Sequence, residues 1–138
     1  MTRKILVPQI ISVLQKENYQ IFPHGVFFRA LSNSKDDLLL CIRCRHFSAN
    51  ESLMTSITRD RIHFLELESK RLGCIPCLAF GIATNNFANV EIYIAPIDVW
   101  LKDAETGGTV SVASGGFYFN QIHSSERLPL GTIVHFKS

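Results

Sequence analysis

The stretch Leu38-Leu39-Leu40-Cys41-Ile42 is a continuous apolar run, far too short to span a membrane. A strand that reads this way is buried on both faces, as in parallel sheets covered by helices. Its continuation, Arg43-Cys44-Arg45-His46-Phe47, turns polar and basic. A second run of the same kind spans Cys74 to Ala83. Between the two, Leu53 to Leu72 carries a helical pattern. Ile57, Ile62, Leu65 and Leu72 fall on one side, with Arg59, Asp60, Glu66 and Lys70 largely on the other. Gly73 suits the position just past a helix end. Strand, helix and strand in this order predict a parallel pair joined by a right-handed crossover.

The remaining segments fit around that unit. Ile5, Ile10, Ile11, Val13 and Leu14 predict an amphipathic helix. Pro8 fits the first turn of a helix that begins there, and would kink one that begins at Thr2. Tyr19 to Leu31 reads as two short strands about the turn signal Pro23-His24-Gly25, and Ser32 to Asp37 is a polar turn. Ser48 to Ser52 is a loop, Thr84 to Asn89 a turn, Val90 to Ala95 a strand, and Pro96 opens a short helix to Lys102. Strands are expected at Thr109 to Ala113, Phe117 to Asn120 and Gly131 to Phe136, with Ser114-Gly115-Gly116 turning between the first two. The expected class is α/β, in one domain over residues 1–138. Residues 1–105 form the α/β core and 106–138 a β-rich extension.

Hydrophobic residues make up 46% of the 138 and charged residues 19%, a composition that buries a core and excludes a disordered chain. The net charge of +2 permits nucleic-acid binding without requiring it. The basic start, Met1-Thr2-Arg3-Lys4, precedes an apolar run broken by Pro8 and Gln9, so it makes a poor signal peptide. No run reaches membrane length. The expectation is a cytoplasmic protein with reduced cysteines and no membrane contact.

From Ile5 to Lys102 this order of elements resembles the restriction-endonuclease-like, or PD-(D/E)xK, nuclease superfamily, and within it the Holliday-junction resolvases. The resemblance implies a helix-strand-strand-strand-helix-strand-strand core with a mixed central sheet flanked by helices. It also implies an acid on the second strand and Glu-x-Lys on the third. Here the third strand reads Cys41-Ile42-Arg43, so Cys41 stands at the glutamate position and Arg43 at the lysine position. The second-strand acid falls near Phe27 or Phe28, and Glu17 is the match to a helix glutamate that some members carry. Magnesium wants oxygen ligands, which a soft thiol replaces poorly. An arginine stays protonated and cannot act as a base. The resemblance therefore implies a nuclease fold without standard nuclease chemistry, and a homodimer, since resolvase-like members work in pairs.

Arg43, Arg45 and His46, joined by Arg29 or Arg59, read as a phosphate-contacting patch, because the planar guanidinium fork matches phosphate oxygens. The plainer alternative pairs Arg43 with Asp36, Asp37 or Glu66 and leaves Arg45 and His46 solvated. Cys41-x₂-Cys44 and Cys74-x₂-Cys77 use every cysteine and offer the four thiolates of a zinc site. Against zinc stand the 29-residue interval between the pairs and their place in apolar strands, where positions i and i+3 face opposite ways. Buried cysteines acting as small hydrophobes are the alternative. Glu17, Asp36, Asp37 and Glu51 are the acids from which a relocated magnesium or manganese site would draw. Glu68-Ser69-Lys70 reads as a solvated helix face. His63, His123 and His135 show no mutual spacing of a site, and Phe117-Tyr118-Phe119 is core or interface. Three functions follow. One is a catalytically silent nuclease-fold protein that binds nucleic acid, DNA before RNA, or assists a partner that does. The others are an active metal-dependent endonuclease with relocated acids, and an interaction module stapled by zinc.

Overall fold

A computed structural model describes residues 2–47, 54–84, 86–87, 89–105, 110–113, 116–120 and 134–137. Side chains are described only within residues 2–102. The order is α1 (Thr2–Lys16), β1 (Gln20–His24), β2 (Phe27–Leu31), β3 (Leu38–Phe47), β4 (Met54–Thr58), α2 (Arg59–Leu72), β5 (Ile75–Thr84), β6 (Asn89–Pro96), α3 (Ile97–Glu105), β7 (Val110–Ala113), β8 (Gly116–Asn120) and β9 (Val134–Lys137).

The central sheet has six strands in the order β1-β2-β3-β5-β6-β9, and a second, three-stranded sheet runs β4-β8-β7. β3 and β5 are parallel over ten residue pairs, Leu38–Ile75 through Phe47–Thr84, and every other pairing among the described residues is antiparallel. The sheet is therefore mixed, with the expected parallel pair at its heart. α2 supplies the crossover, since parallel neighbours cannot be joined by a tight turn. The extra C-terminal strands divide: β9 extends the central sheet beside β6, while β7 and β8 pair with each other and with β4.

Two apolar layers sandwich the sheet. Leu39, Cys41, Phe47, Leu78, Phe80 and Tyr93 pack against α2 and α3, through Ile62, Leu65, Ile97 and Trp100. Leu40, Ile42, Cys77, Ala79 and Ile92 pack against α1, through Leu6, Ile10, Val13 and Leu14. Strand alternation makes this division, which is why both β3 and β5 read as unbroken apolar runs. Gly81 of β5 sits directly under α1. A Cβ there would lie 3.2 Å from both Leu6 Cβ and Ile10 Cδ1, so the glycine permits a close helix–sheet approach.

The helix expected from Leu53 begins instead at Arg59. Residues 54–58 form β4, paired with β8 from Met54–Asn120 to Thr58–Gly116. Ile57 is buried in the same layer as Ile62 and Leu65, so its spacing mimics the helical face that follows. α1 runs from Thr2 through Pro8 to Lys16 rather than starting at the proline. Pro8 is exposed, on the side of the helix away from the sheet. The loop at 48–52, with Glu51, lies outside the described residues, as do Ser114, Gly115 and His123.

The β1–β2 hairpin turns at Gly25, whose φ of +60° suits a residue without Cβ. It is tied to α2 by a small charged group. His24 Nε2 lies 2.9 Å from Glu68 Oε2, and Arg71 donates to both Glu68 oxygens at 2.8 and 3.0 Å. The Arg71 hydrogen bonds, and then the one to His24, hold the Glu68 carboxyl down at about 2, from an ordinary 4.5. A carboxylate held down in the folded state stabilises it fully above pH 4.5. That contribution is lost as the pH falls toward 2. Urea midpoints between those limits are expected to fall less steeply for Glu68→Gln than for the parent. Parallel curves would remove Glu68 from the acid response.

Candidate functional site

The β2–β3 ladder covers Ala30–Leu38, Arg29–Leu39 and Phe28–Leu40. Beyond Leu40, β3 continues with β5 to Phe47, while β2 leads back into the Gly25-Val26 turn. The divergence opens a cleft of about 530 Å³ between the hairpin, the second half of β3 and the start of α2. Arg3, Cys41, Arg43, Ser56, Thr58 and Arg61 supply its polar lining.

Each element delivers its residue for a local reason. Arg3 lies in the first turn of α1, one turn before Leu6, and donates Nη1 to the Ile42 carbonyl at 3.0 Å. Arg43 follows the buried part of β3 and is exposed, on the α2 side with Cys41. Arg61 stands in the first turn of α2. There Thr58 is the N-cap, with extended φ and ψ of −68° and 153°, and its hydroxyl accepts from the Arg61 backbone N–H at 3.2 Å. The positive end of α2 therefore meets the cleft beside the three guanidiniums. Thr58→Ala is expected to lower stability by about 1 kcal/mol, as a shift of the urea midpoint at constant slope. An unmoved midpoint would show that the cap bond does not hold the helix start.

Cys41 forms the floor and is 3% exposed. Burial pushes its thiol up, against the opposing pull of Arg61, Arg43 and Arg3. Cys44 is pushed up by burial too, against Arg3 and Arg43. Burial thus disfavours the thiolate at both sulfurs. Where the nuclease resemblance expects metal-binding carboxylates stand Cys41 on β3 and, on β2, the buried Phe27 or half-buried Phe28, while Arg43 stands at the lysine position. A thiol and three guanidiniums do not fit a hard divalent cation, and no catalytic step through one is derived.

The structure separates several residues that the sequence grouped. Arg45 is on the Arg43 side of β3, with its guanidinium 5.2 Å from the Phe47 ring centre. His46 faces the α1 side and stacks on Phe87, with ring centres 4.5 Å apart and planes within 9°. Its Nε2 is buried without a hydrogen-bond partner among the described residues. Arg29 is half-buried on β2 opposite Leu39, and Arg59 is exposed at the head of α2; neither lines the cleft. Glu17, Asp36 and Asp37 gather at the other end of β3. Lys35 Nζ bonds the Glu17 carbonyl at 3.1 Å and its carboxylate at 3.2 Å, while Asp37 Oδ1 accepts from the Ser32 N–H at 3.1 Å. Six residues of strand put Asp37 roughly 20 Å from Arg43.

The four cysteines also divide. Cys41 and Cys74 pack in the α2 layer, Cys44 and Cys77 in the α1 layer, so one tetrahedral ion cannot take all four. The Cys77 thiol is pushed up to about 12 by burial. No group of three or more His, Cys, Asp or Glu suited to a metal occurs among the described residues. No helix among them is long and apolar enough to cross a membrane.

No protein-family model and no curated protein matches the chain. A solved structure does. The chain is similar to Archaeoglobus fulgidus Hjc, a Holliday junction resolvase from an archaeal hyperthermophile. The match has a TM-score of 0.57 at 11% sequence identity, over 88% of this chain and 86% of that one. The two share a fold. The helix-strand-strand-strand-helix-strand-strand core expected from the order of elements, with its mixed central sheet flanked by helices, is present, and the likeness spans most of both chains. At this identity the likeness fixes architecture and leaves function to the residues in the cleft.

Two of the three cleft arginines, Arg3 and Arg61, were outside the patch expected from sequence. Both are exposed residues on helices, with no periodic signature to single them out. Thr58 offered the available cue: a threonine N-cap places α2's start, and hence Arg61, at the sheet edge.

Proposed function

We propose that this protein is a nuclease-fold nucleic-acid binder without metal-dependent hydrolysis, acting alone or beside a partner that processes nucleic acid. One observation carries the reading: Arg3, Arg43 and Arg61, from three separate elements, line one cleft. Guanidinium forks bind phosphate oxygens, and a cluster of them with a helix N-terminus attracts the backbone of a nucleic acid. The loss of hydrolysis rests on the thiol and guanidinium at the positions where the resemblance requires carboxylate and lysine. DNA is preferred to RNA because the structurally similar protein is described as a Holliday junction resolvase. A homodimer follows the family resemblance, and a cytoplasmic location follows the free cysteines. Arg45, on the Arg43 side of β3, extends the contact surface.

The test is binding of labelled duplex, single-stranded and four-way-junction DNA at low and moderate salt, with magnesium or manganese in parallel and the products run on a gel. Binding that weakens with salt and leaves the DNA intact is expected. Chelator-sensitive cleavage would overturn the silent-nuclease reading and turn attention to Glu17, Asp36 and Asp37. Absence of binding to DNA and to an RNA control would overturn the nucleic-acid reading itself.

A further inference from the structure

The three cleft arginines stand in an unbalanced charge environment. Outside the cleft, Arg71 pairs with Glu68 and Lys35 with Glu17. Among the described residues, no carboxylate lines the cleft and none forms an ion pair with Arg3, Arg43 or Arg61. The three arginines come from α1, β3 and α2, yet all line this one cleft, with Cys41 in the same lining. The α2 N-terminus adds its partial positive charge from the same side.

The shape narrows the occupant. The cleft has a closed floor at the buried Cys41, and Val26, Phe28 and Ile57 give it apolar sides. Its volume of about 530 Å³ is that of a small-molecule site, enough for one nucleotide rather than a length of duplex. A phosphate inside a strand carries one negative charge. A phosphomonoester carries about −1.5 to −2 at neutral pH and presents three terminal oxygens. Three forks arriving from α1, β3 and α2 match the second.

We propose that the cleft holds a phosphomonoester, the terminal phosphate of a nucleic-acid strand, seated between Arg3, Arg43 and Arg61 with the adjoining nucleoside against Val26, Phe28 and Ile57. The anion site stands on the cleft; the strand behind it rests on the nucleic-acid reading above. The protein is thereby an end binder, and a continuous strand lacks the group that fills its cleft.

Single-stranded oligonucleotides of one sequence are compared with a 5′-phosphate, a 3′-phosphate or hydroxyls at both ends, and as a closed circle. A nucleoside monophosphate and its nucleoside serve as competitors. At least one phosphorylated end is expected to bind about tenfold or more tightly than the hydroxyl-ended and circular forms, the scale of one added charge-assisted contact. The monophosphate is expected to compete where the nucleoside does not. Arg43→Gln and Arg61→Gln, at exposed positions, are expected to abolish the difference while keeping the parent circular dichroism spectrum. Arg71→Gln, outside the cleft, is expected to retain it. Equal affinity for all four oligonucleotides would overturn end recognition and leave general binding standing. A preference that survives in both folded cleft variants would overturn its placement in the cleft. Binding of the monophosphate with no oligonucleotide bound would support the anion site but overturn the strand assignment and the nucleic-acid reading. Binding of neither would overturn both.

Discussion

Replacing Arg3, Arg43 and Arg61 together with glutamine is expected to weaken nucleic-acid binding by about 100- to 1,000-fold at ~0.1 M salt. A terminal phosphate carries about −1.5 to −2, so losing the three guanidiniums that neutralise it also flattens the salt dependence by about 1 to 2 in log–log slope. The side chains are exposed and free of carboxylate partners among the described residues, so the fold is expected to persist. Fluorescence anisotropy across a salt series measures both quantities. A triple variant with the parent slope would show that these arginines meet no phosphate. Arg45→Gln makes the comparison specific: it lies on the same strand, outside the cleft, and is expected to cost less than any one of the three.

Trp100→Ala is expected to destabilise the protein by about 3–5 kcal/mol, a large share of the roughly 5–15 kcal/mol that holds a domain of this size folded. Trp100 is fully buried, meets Phe80 edge-on at 5.1 Å and 77°, and donates its indole N–H to the Ala95 carbonyl at 3.1 Å. Truncation leaves a cavity under α3 and an orphaned carbonyl in β6. Because Trp100 is the sole tryptophan, far-UV circular dichroism in denaturant is the suitable probe. A loss below about 1 kcal/mol would mean that α3 is not a structural part of the core. Trp100→Phe, which keeps a ring and removes the N–H, is expected to fall between the two.

The parallel pair at the centre was legible because burial on both faces writes itself as an uninterrupted apolar run, in Leu38 to Ile42 and again in Cys74 to Ala83. The split of the cysteines was legible too, since alternation alone sends Cys41 and Cys44 to opposite layers. β4 was hidden because Ile57, buried in a strand, continues the spacing of Ile62 and Leu65 in the next helix. A contact between two separate elements was read as one helical face. The cleft was half legible. Arg43 ends an apolar strand and attracts notice, whereas Arg3 and Arg61 owe their roles to where α1 and α2 begin relative to the sheet. Such placement is tertiary information. His46 shows the converse: its basic neighbours grouped it with the patch, and strand parity turned it away.

The glycine under α1 acts at a distance from the cleft. Leu6, which rests on Gly81, is one helical turn from Arg3, so the height of α1 above β5 also sets how far Arg3 reaches over the sheet edge to Ile42. An alanine at position 81 would press on Leu6 and Ile10 at 3.2 Å and oblige the helix to rise by a few tenths of an ångström. Raised as a rigid rod, α1 would carry its first turn with it. The absence of one methyl group on the far side of the sheet is therefore a gauge for the geometry of the arginine cluster, and a change there can retune affinity without touching any residue that meets the ligand.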